Sequence, residues 1–252
     1  MNRKKIEYLR FLADMGEIFI PIPELQNEKR NTSTELSDMA EKREFSAASS
    51  NKKSAEKRDT LPADKKKKLL DEFYHQIRDC TKCALSKTRH KFVFGAGNAD
   101  ADIMFIGEAP GGEEDLQGIP FVGRAGKLLD RILAAARLKR SEVYIANVLK
   151  CRPPKNRDPL PSEEEMCLPY LHRQIEIIQP KIICCLGRVA AHALLRTKAN
   201  MSELRGQVHK YRNIPMIVTY HPAALLRSER FKKPTWEDFL FLLDELKKIK
   251  SR

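Results

Sequence analysis

Apolar residues follow two rhythms along this chain, short continuous runs and helical spacings of three and four, and the two alternate. Ile103–Ile106, Val143–Val148, Ile182–Leu186 and Met216–Tyr220 are runs of strand length. Between them lie helical faces: Leu69, Leu70, Phe73 and Ile77, then Leu128, Leu129, Ile132, Leu133 and Ala136 in a helix from about Ala125. Ser162 with Glu165 reads as a capping box for a helix whose inner face is Leu168, Leu171, Ile175 and Ile178. Thr235 with Asp238 reads the same way for a last helix facing inward through Phe239, Leu242, Leu243 and Leu246. Strands alternating with helices predict an α/β fold, three-layer αβα, around a central, mostly parallel four-stranded sheet.

The first quarter of the chain has another character. Ile6, Leu9, Phe11, Leu12 and Met15 give residues 2–15 one amphipathic helical face; Gly16 stops it and Ile18–Pro23 is extended. Residues 24–68 are rich in Ser, Lys, Glu, Asn and Ala, too polar to offset their conformational entropy by burial, and predict a disordered linker. The expected organisation is a terminal segment (1–23), a linker (24–68) and one domain (69–252). The terminal helix is a peptide for a protein partner, an accessory helix docked on its own domain, or a poorly ordered end.

Charge sharpens this division. The net charge is +13, yet residues 1–64 hold twelve basic and twelve acidic residues and are neutral. The folding part therefore carries the whole excess, with 35 of the 47 basic and 22 of the 34 acidic residues. That excludes a basic arm and favours a polyanionic partner, although a lysine-rich surface would give the same sum. No stretch has the length and apolarity of a membrane span. Glu7, Arg10 and Asp14 interrupt what would be the apolar run of a signal peptide. The expectation is a cytoplasmic monomer, in which six cysteines need a use other than disulfides.

Four of them pair suggestively. Cys80 and Cys83 form a C-x2-C at a helix end, and Cys151 and Cys167 a C-x15-C across a proline-rich loop. Two such pairs can close a tetrathiolate site for iron–sulfur or zinc. The wide second pair is unlike the tight knuckles of structural zinc, which favours iron–sulfur. Cys184 and Cys185 sit inside an apolar run and read as buried small residues. In a parallel sheet, sites gather beyond the carboxyl ends of the strands. Those ends carry Gly107-Glu108-Ala109-Pro110-Gly111, Asn147, Gly187 and His221-Pro222, so a carboxylate, an amide and an imidazole share one rim.

The segments Gly107–Asp115 (GEAPGGEED), Pro120–Gly126 (PFVGRAG), Asn147–Pro154 (NVLKCRPP) and His221–Arg227 (HPAALLR) together resemble the family 4 uracil-DNA glycosylases, from about Cys80 to the C-terminus. The resemblance implies the uracil-DNA glycosylase fold, a 4Fe-4S cluster on Cys80, Cys83, Cys151 and Cys167, and removal of uracil from single- and double-stranded DNA. It implies catalytic roles for Glu108, Glu114 and His221, and uracil binding by Gly107, Phe121, Asn147 and His221. Leu225, Leu226 and Arg227 are expected to wedge into DNA and hold a phosphate, with Arg152, Lys155 and Arg157 on the backbone. Family 5 enzymes have an apolar residue where Glu108 stands. The cross-linking relatives insert a basic segment for which Gly118–Phe121 leaves no room. The alternative reading is a phage polymerase-associated domain, or a non-catalytic iron–sulfur protein that binds nucleic acid.

Overall fold

The computed structural model describes residues 8, 11–13 and 61–251. Its strands are β1 (Ala96–Gly97), β2 (Ile103–Gly107), β3 (Tyr144–Asn147), β4 (Ile182–Leu186), β5 (His209–Tyr211) and β6 (Ile214–Thr219). They form one sheet in the order β1-β3-β2-β4-β6-β5. The four inner strands are parallel, as β2 pairs with β3 and β4, and β4 with β6; the edge strands β1 and β5 pair antiparallel. The expected four-stranded sheet is thus corrected to six strands. The additions are two and three residues long, too short to leave a periodic signal.

The inner strands are apolar throughout because both faces are covered. Met104, Ile106, Ile183, Cys185, Met216 and Val218 point to one layer, with α1 (Ala63–Ile77), α4 (Pro161–Ile178) and α5 (Arg188–Leu195). Ile103, Phe105, Ile182, Cys184 and Ile217 point to the other, with α3 (Arg124–Ala135) and α8 (Lys232–Lys250). Three shorter α-helices lie between these elements: α2 (Gly112–Gln117), α6 (Met201–Leu204) and α7 (Pro222–Arg227). Both cysteines of β4 are buried in the core.

Three sequence readings of boundaries change. The domain starts earlier than residue 69, since α1 begins at Ala63 and buries Lys66, whose ammonium donates to Asp100 (2.6 Å) and to the Ile178 carbonyl (2.9 Å). Helix α4 is capped by Glu163 on the Leu160 N–H (2.9 Å) rather than by Ser162 and Glu165, because Pro161 suits the first helical position. Helix α8 starts at Lys232, so Thr235 lies inside it and donates to the Phe231 carbonyl (2.7 Å). Asp238 is drawn away to Arg205 (2.7 Å) and Thr219 (2.6 Å), an arrangement that steadies the end of β6.

Tyr8 and Phe11–Ala13 are helical, and Phe11 is fully buried, stacked on Trp236 at a centroid distance of 4.8 Å. Of the sequence readings of the terminal helix, these residues take the docked one; the linker reading for 24–60 lies outside the described residues. Trp236 is the only tryptophan in the chain, so its fluorescence reports this contact directly. Phe11→Ala is expected to shift Trp236 emission to the red and lower Tm by about 4–8 °C, matching ~2 kcal/mol of lost burial. Unchanged emission would mean that the helix is not docked in solution.

Candidate active site

Strand β2 hands the chain to β3 on one side, while β4 hands it to β6 on the other. The topological switch point therefore lies between the carboxyl ends of β2 and β4, the place where ligands bind in doubly wound folds. Gly107 ends β2 directly beside Asn147, which ends β3. A Cβ on Gly107 would stand 2.5 Å from Asn147 Oδ1 and 2.6 Å from the Phe121 ring, so only glycine allows the three to converge. Gly187, at φ +96°, turns β4 into α5 so tightly that a Cβ would meet His221 Cβ at 2.9 Å. Phe121 also has positive φ (54°), and its ring lies 5.4 Å from the His221 ring. Such strain in a non-glycine residue gathers at functional sites.

Asn147 is buried, and among the described residues its Oδ1 has no hydrogen-bond partner. An unpartnered buried carbonyl oxygen costs about 1–3 kcal/mol, so this one waits for a donor. Its main chain is held from behind. The Lys150 ammonium, fully buried, donates to the Asn147 carbonyl (2.8 Å) and to Gln174 Oε1 (2.6 Å). Burial pulls the Lys150 pKa down to about 8, against the opposing charges of Cys167 and Cys151.

The two acidic residues of the first loop differ sharply. Glu114 accepts from the backbone N–H groups of Gly111 (3.1 Å), Val122 (2.9 Å) and Gly123 (2.8 Å), so it stitches α2 to the segment carrying Phe121. Glu108 is half-buried, and burial pushes its carboxyl up to about 7, helped by Asp158 and Glu164 and opposed by Arg188 and Arg227. His221 is half-buried at the start of α7, with Nδ1 accepting from the Ala223 N–H (3.1 Å). Burial, reinforced by Arg227, depresses its pKa to about 4. The ring is therefore neutral near pH 7, and because Nδ1 is an acceptor its proton is on Nε2.

The remaining expected site residues divide. Leu225 is buried in the core beside α3, while Leu226 is exposed. Arg227 and Lys155 are exposed. Arg152 lies against the start of α2, with its guanidinium 3.4 Å from where a Gly112 Cβ would stand, and donates to Asn156 (2.8 Å). Arg157 is not free for a backbone contact, because both of its terminal nitrogens pair with Glu163 (2.9 and 2.6 Å). Sequence reasoning missed Lys150 and Gln174 altogether.

Cys80, Cys83, Cys151 and Cys167 are unpaired thiols. They are close enough to act on one another: Cys83 and Cys80 raise the Cys151 thiol, and Cys151 and Cys83 raise that of Cys167, in each case after burial as the main cause. Burial takes the Cys167 thiol to about 12. Donors surround the sulfurs. Arg89 Nη1 and Lys150 N–H lie 3.2 Å from the Cys151 and Cys167 sulfurs, and the Tyr170 hydroxyl 3.2 Å from Cys80. Among the described residues no three Cys, His, Asp or Glu side chains gather tightly enough to hold a single metal ion. No helix among those residues is long and apolar enough to cross a membrane.

Residues 94–240 match the family model of the uracil DNA glycosylase superfamily. The chain is 47% identical to a type-4 uracil-DNA glycosylase of Archaeoglobus fulgidus over 178 residues, 68% of this chain and 89% of that protein. It is 47% identical over 180 residues to one of Saccharolobus solfataricus, covering 68% and 83% of the two chains. A third, of Sulfurisphaera tokodaii, is 45% identical over 179 residues, 68% and 81% of the respective chains.

Proposed function

The chain belongs to the type-4 uracil-DNA glycosylases of the uracil DNA glycosylase superfamily, and from that premise we propose that it hydrolyses the N-glycosidic bond of uracil in DNA and leaves an abasic site. The observation that carries this reading is the buried, unpartnered Asn147 Oδ1 at the end of β3. It is an acceptor at the carboxyl end of a central strand, beside Gly107 and Phe121, and uracil N3–H is a donor that only a base turned out of the helix can bring there. The alternatives, a polymerase-associated domain or a non-catalytic binding protein, are not favoured, since the chain covers most of the length of enzymes that carry the glycosylase name.

The reaction adds water at the sugar carbon as the base leaves with the bonding electrons. Positive charge grows on the sugar and negative charge on the uracil oxygens, so the site needs an anion on one side and donors on the other. Glu108, the carboxylate not consumed by backbone donors, stabilises the sugar cation and orients the water. Glu114 is reserved for shaping the loop that sets Phe121. Neutral His221 donates from Nε2 to uracil O2 as that oxygen becomes anionic. Phe121 offers its ring to the base, Gly107 lets the base approach the strand, and Leu226, Arg227, Arg152 and Lys155 meet the DNA.

The four cysteines fit an iron–sulfur cluster by their chemistry: four sulfurs, with N–H and O–H donors directed at those of Cys80, Cys151 and Cys167. Cys80, Cys83, Cys151 and Cys167 would hold it. When bound it supplies a rigid anchor for the loop that follows Asn147.

Incubation with an oligonucleotide containing one uracil, followed by alkaline cleavage at abasic sites, tests the function. A strand cut at the uracil position is expected, and an intact strand overturns the reading. The pH profile tests Glu108. Excision should rise as its carboxyl ionises, with a midpoint near pH 7, and His221 should contribute no step above pH 5. Glu108→Gln should abolish that limb. Its effect on stability has the opposite sign. A carboxyl whose folded pKa exceeds its unfolded value loses stability as pH rises toward the folded pKa. Glu108→Gln should therefore raise Tm relative to the parent at pH 8.5 and leave it unchanged at pH 4. An equal effect at both pH values would contradict the raised pKa.

A further inference from the structure

Lys150 is the most deeply buried cation in the described chain, fully enclosed. Among the described residues no carboxylate pairs with it; its ammonium meets two neutral oxygens, the Asn147 carbonyl (2.8 Å) and Gln174 Oε1 (2.6 Å). Gln174 is fixed in turn, donating to the Phe94 carbonyl (2.9 Å) and lying 3.4 Å from the Tyr144 hydroxyl. The backbone N–H of Lys150 donates to Cys167 Sγ, and Cys151 follows it in sequence. A buried charge is costly and an apolar side chain of the same length would pack here more cheaply. Its retention needs a task that requires the charge.

Resting on the glycosylase reading above, we propose that Lys150 is a positioning residue that locks the base-reading end of β3 to the four-cysteine loop. The ammonium holds the main-chain carbonyl of the residue whose side chain reads the base, and so fixes the direction of Asn147 Oδ1. Cys151 follows Lys150 directly and Cys167 Sγ accepts from its N–H, so the same residue touches both the strand end and the cysteine loop. The cysteine site and the base pocket are thereby one mechanical unit, and Lys150 is its link.

A double-mutant cycle in the full chain tests this, using Lys150→Met, Asn147→Ala and the pair. Three quantities are read: single-turnover excision of uracil, affinity for an oligonucleotide with an uncleavable 2′-fluoro-deoxyuridine relative to one with thymidine, and cluster absorbance per chain. Lys150→Met should keep its absorbance yet lose about tenfold or more in excision and in preference for the uracil analogue. In the Asn147→Ala background it should cost nothing further, because residues acting through one another are non-additive. An undiminished rate, a loss that multiplies with that of Asn147→Ala, or a loss that follows absorbance overturns the proposal. Should Lys150→Met not fold, Gln174→Met removes one of the two oxygens that hold the ammonium and must show the same non-additivity. A parent protein that leaves uracil in place would instead sink the glycosylase reading, so the two failures are distinguishable.

Discussion

Asn147→Asp is expected to cut uracil excision by about a hundredfold or more and to bring out weak cytosine excision, stronger at lower pH. Uracil offers a donor at N3 and an acceptor at O4, and the amide can satisfy both, taking the N3 proton on Oδ1. A carboxylate keeps the first contact but sets oxygen against oxygen at O4, a loss of ~3 kcal/mol when both are buried. Cytosine reverses the pattern, with a donor at N4 and an acceptor at N3. The carboxylate can accept from N4, and protonation supplies what N3 lacks, hence the pH dependence. Pockets built on paired hydrogen bonds discriminate strongly for this reason. Excision of uracil and cytosine from matched oligonucleotides, with cluster absorbance as a control, gives the measurement. Undiminished uracil excision would show that Asn147 only braces the strand end.

Cys151→Ser is expected to remove the colour and most of the stability together. The parent should absorb broadly near roughly 400 nm, as thiolate-bound iron–sulfur centres do. Cys151 is buried among the core residues facing α4, and Arg89 joins its sulfur to the Cys80 carbonyl (2.6 Å), tying the two halves of the cysteine site. Losing one ligand frees the loop that Lys150 anchors, and the loss should exceed the few kcal/mol of an ordinary core substitution. Absorbance, iron content and thermal melting of parent and variant check this. A colourless parent with stoichiometric zinc would refute the iron–sulfur assignment while leaving the tetrathiolate intact. A coloured, equally stable variant would remove Cys151 from the ligand set.

The fold was most legible where burial was most complete. Ile182–Leu186 has the same limits in sequence and structure, because a strand covered on both faces must be apolar throughout. Edge strands β1 and β5 had no such constraint and were invisible. Caps misled where a residue with a local use found a distant one. Asp238 reads as a helix cap, yet Arg205, 33 residues away, claims it. The rim of the site was legible because loops at strand ends must supply its chemistry, and Glu108, Asn147 and His221 all occupy that rim. Their division of labour was not. In sequence Glu108 and Glu114 are indistinguishable acids, and only the fold shows three backbone N–H groups donating to Glu114. Leu225 and Leu226 look alike in sequence, and only the fold shows that the first is buried and the second exposed. Lys150 reads as one more lysine in a basic protein, and only the packing of α4, which brings Gln174 to it, makes it a buried link.

The central claim, that Asn147 Oδ1 is the vacant acceptor for a base turned out of DNA, is tested most directly by a crystal structure with free uracil bound. The account predicts uracil above Gly107, its N3 within hydrogen-bonding distance of Asn147 Oδ1, its ring against Phe121 and its O2 facing His221 Nε2. Uracil bound elsewhere, with Asn147 Oδ1 still unpartnered, would contradict it.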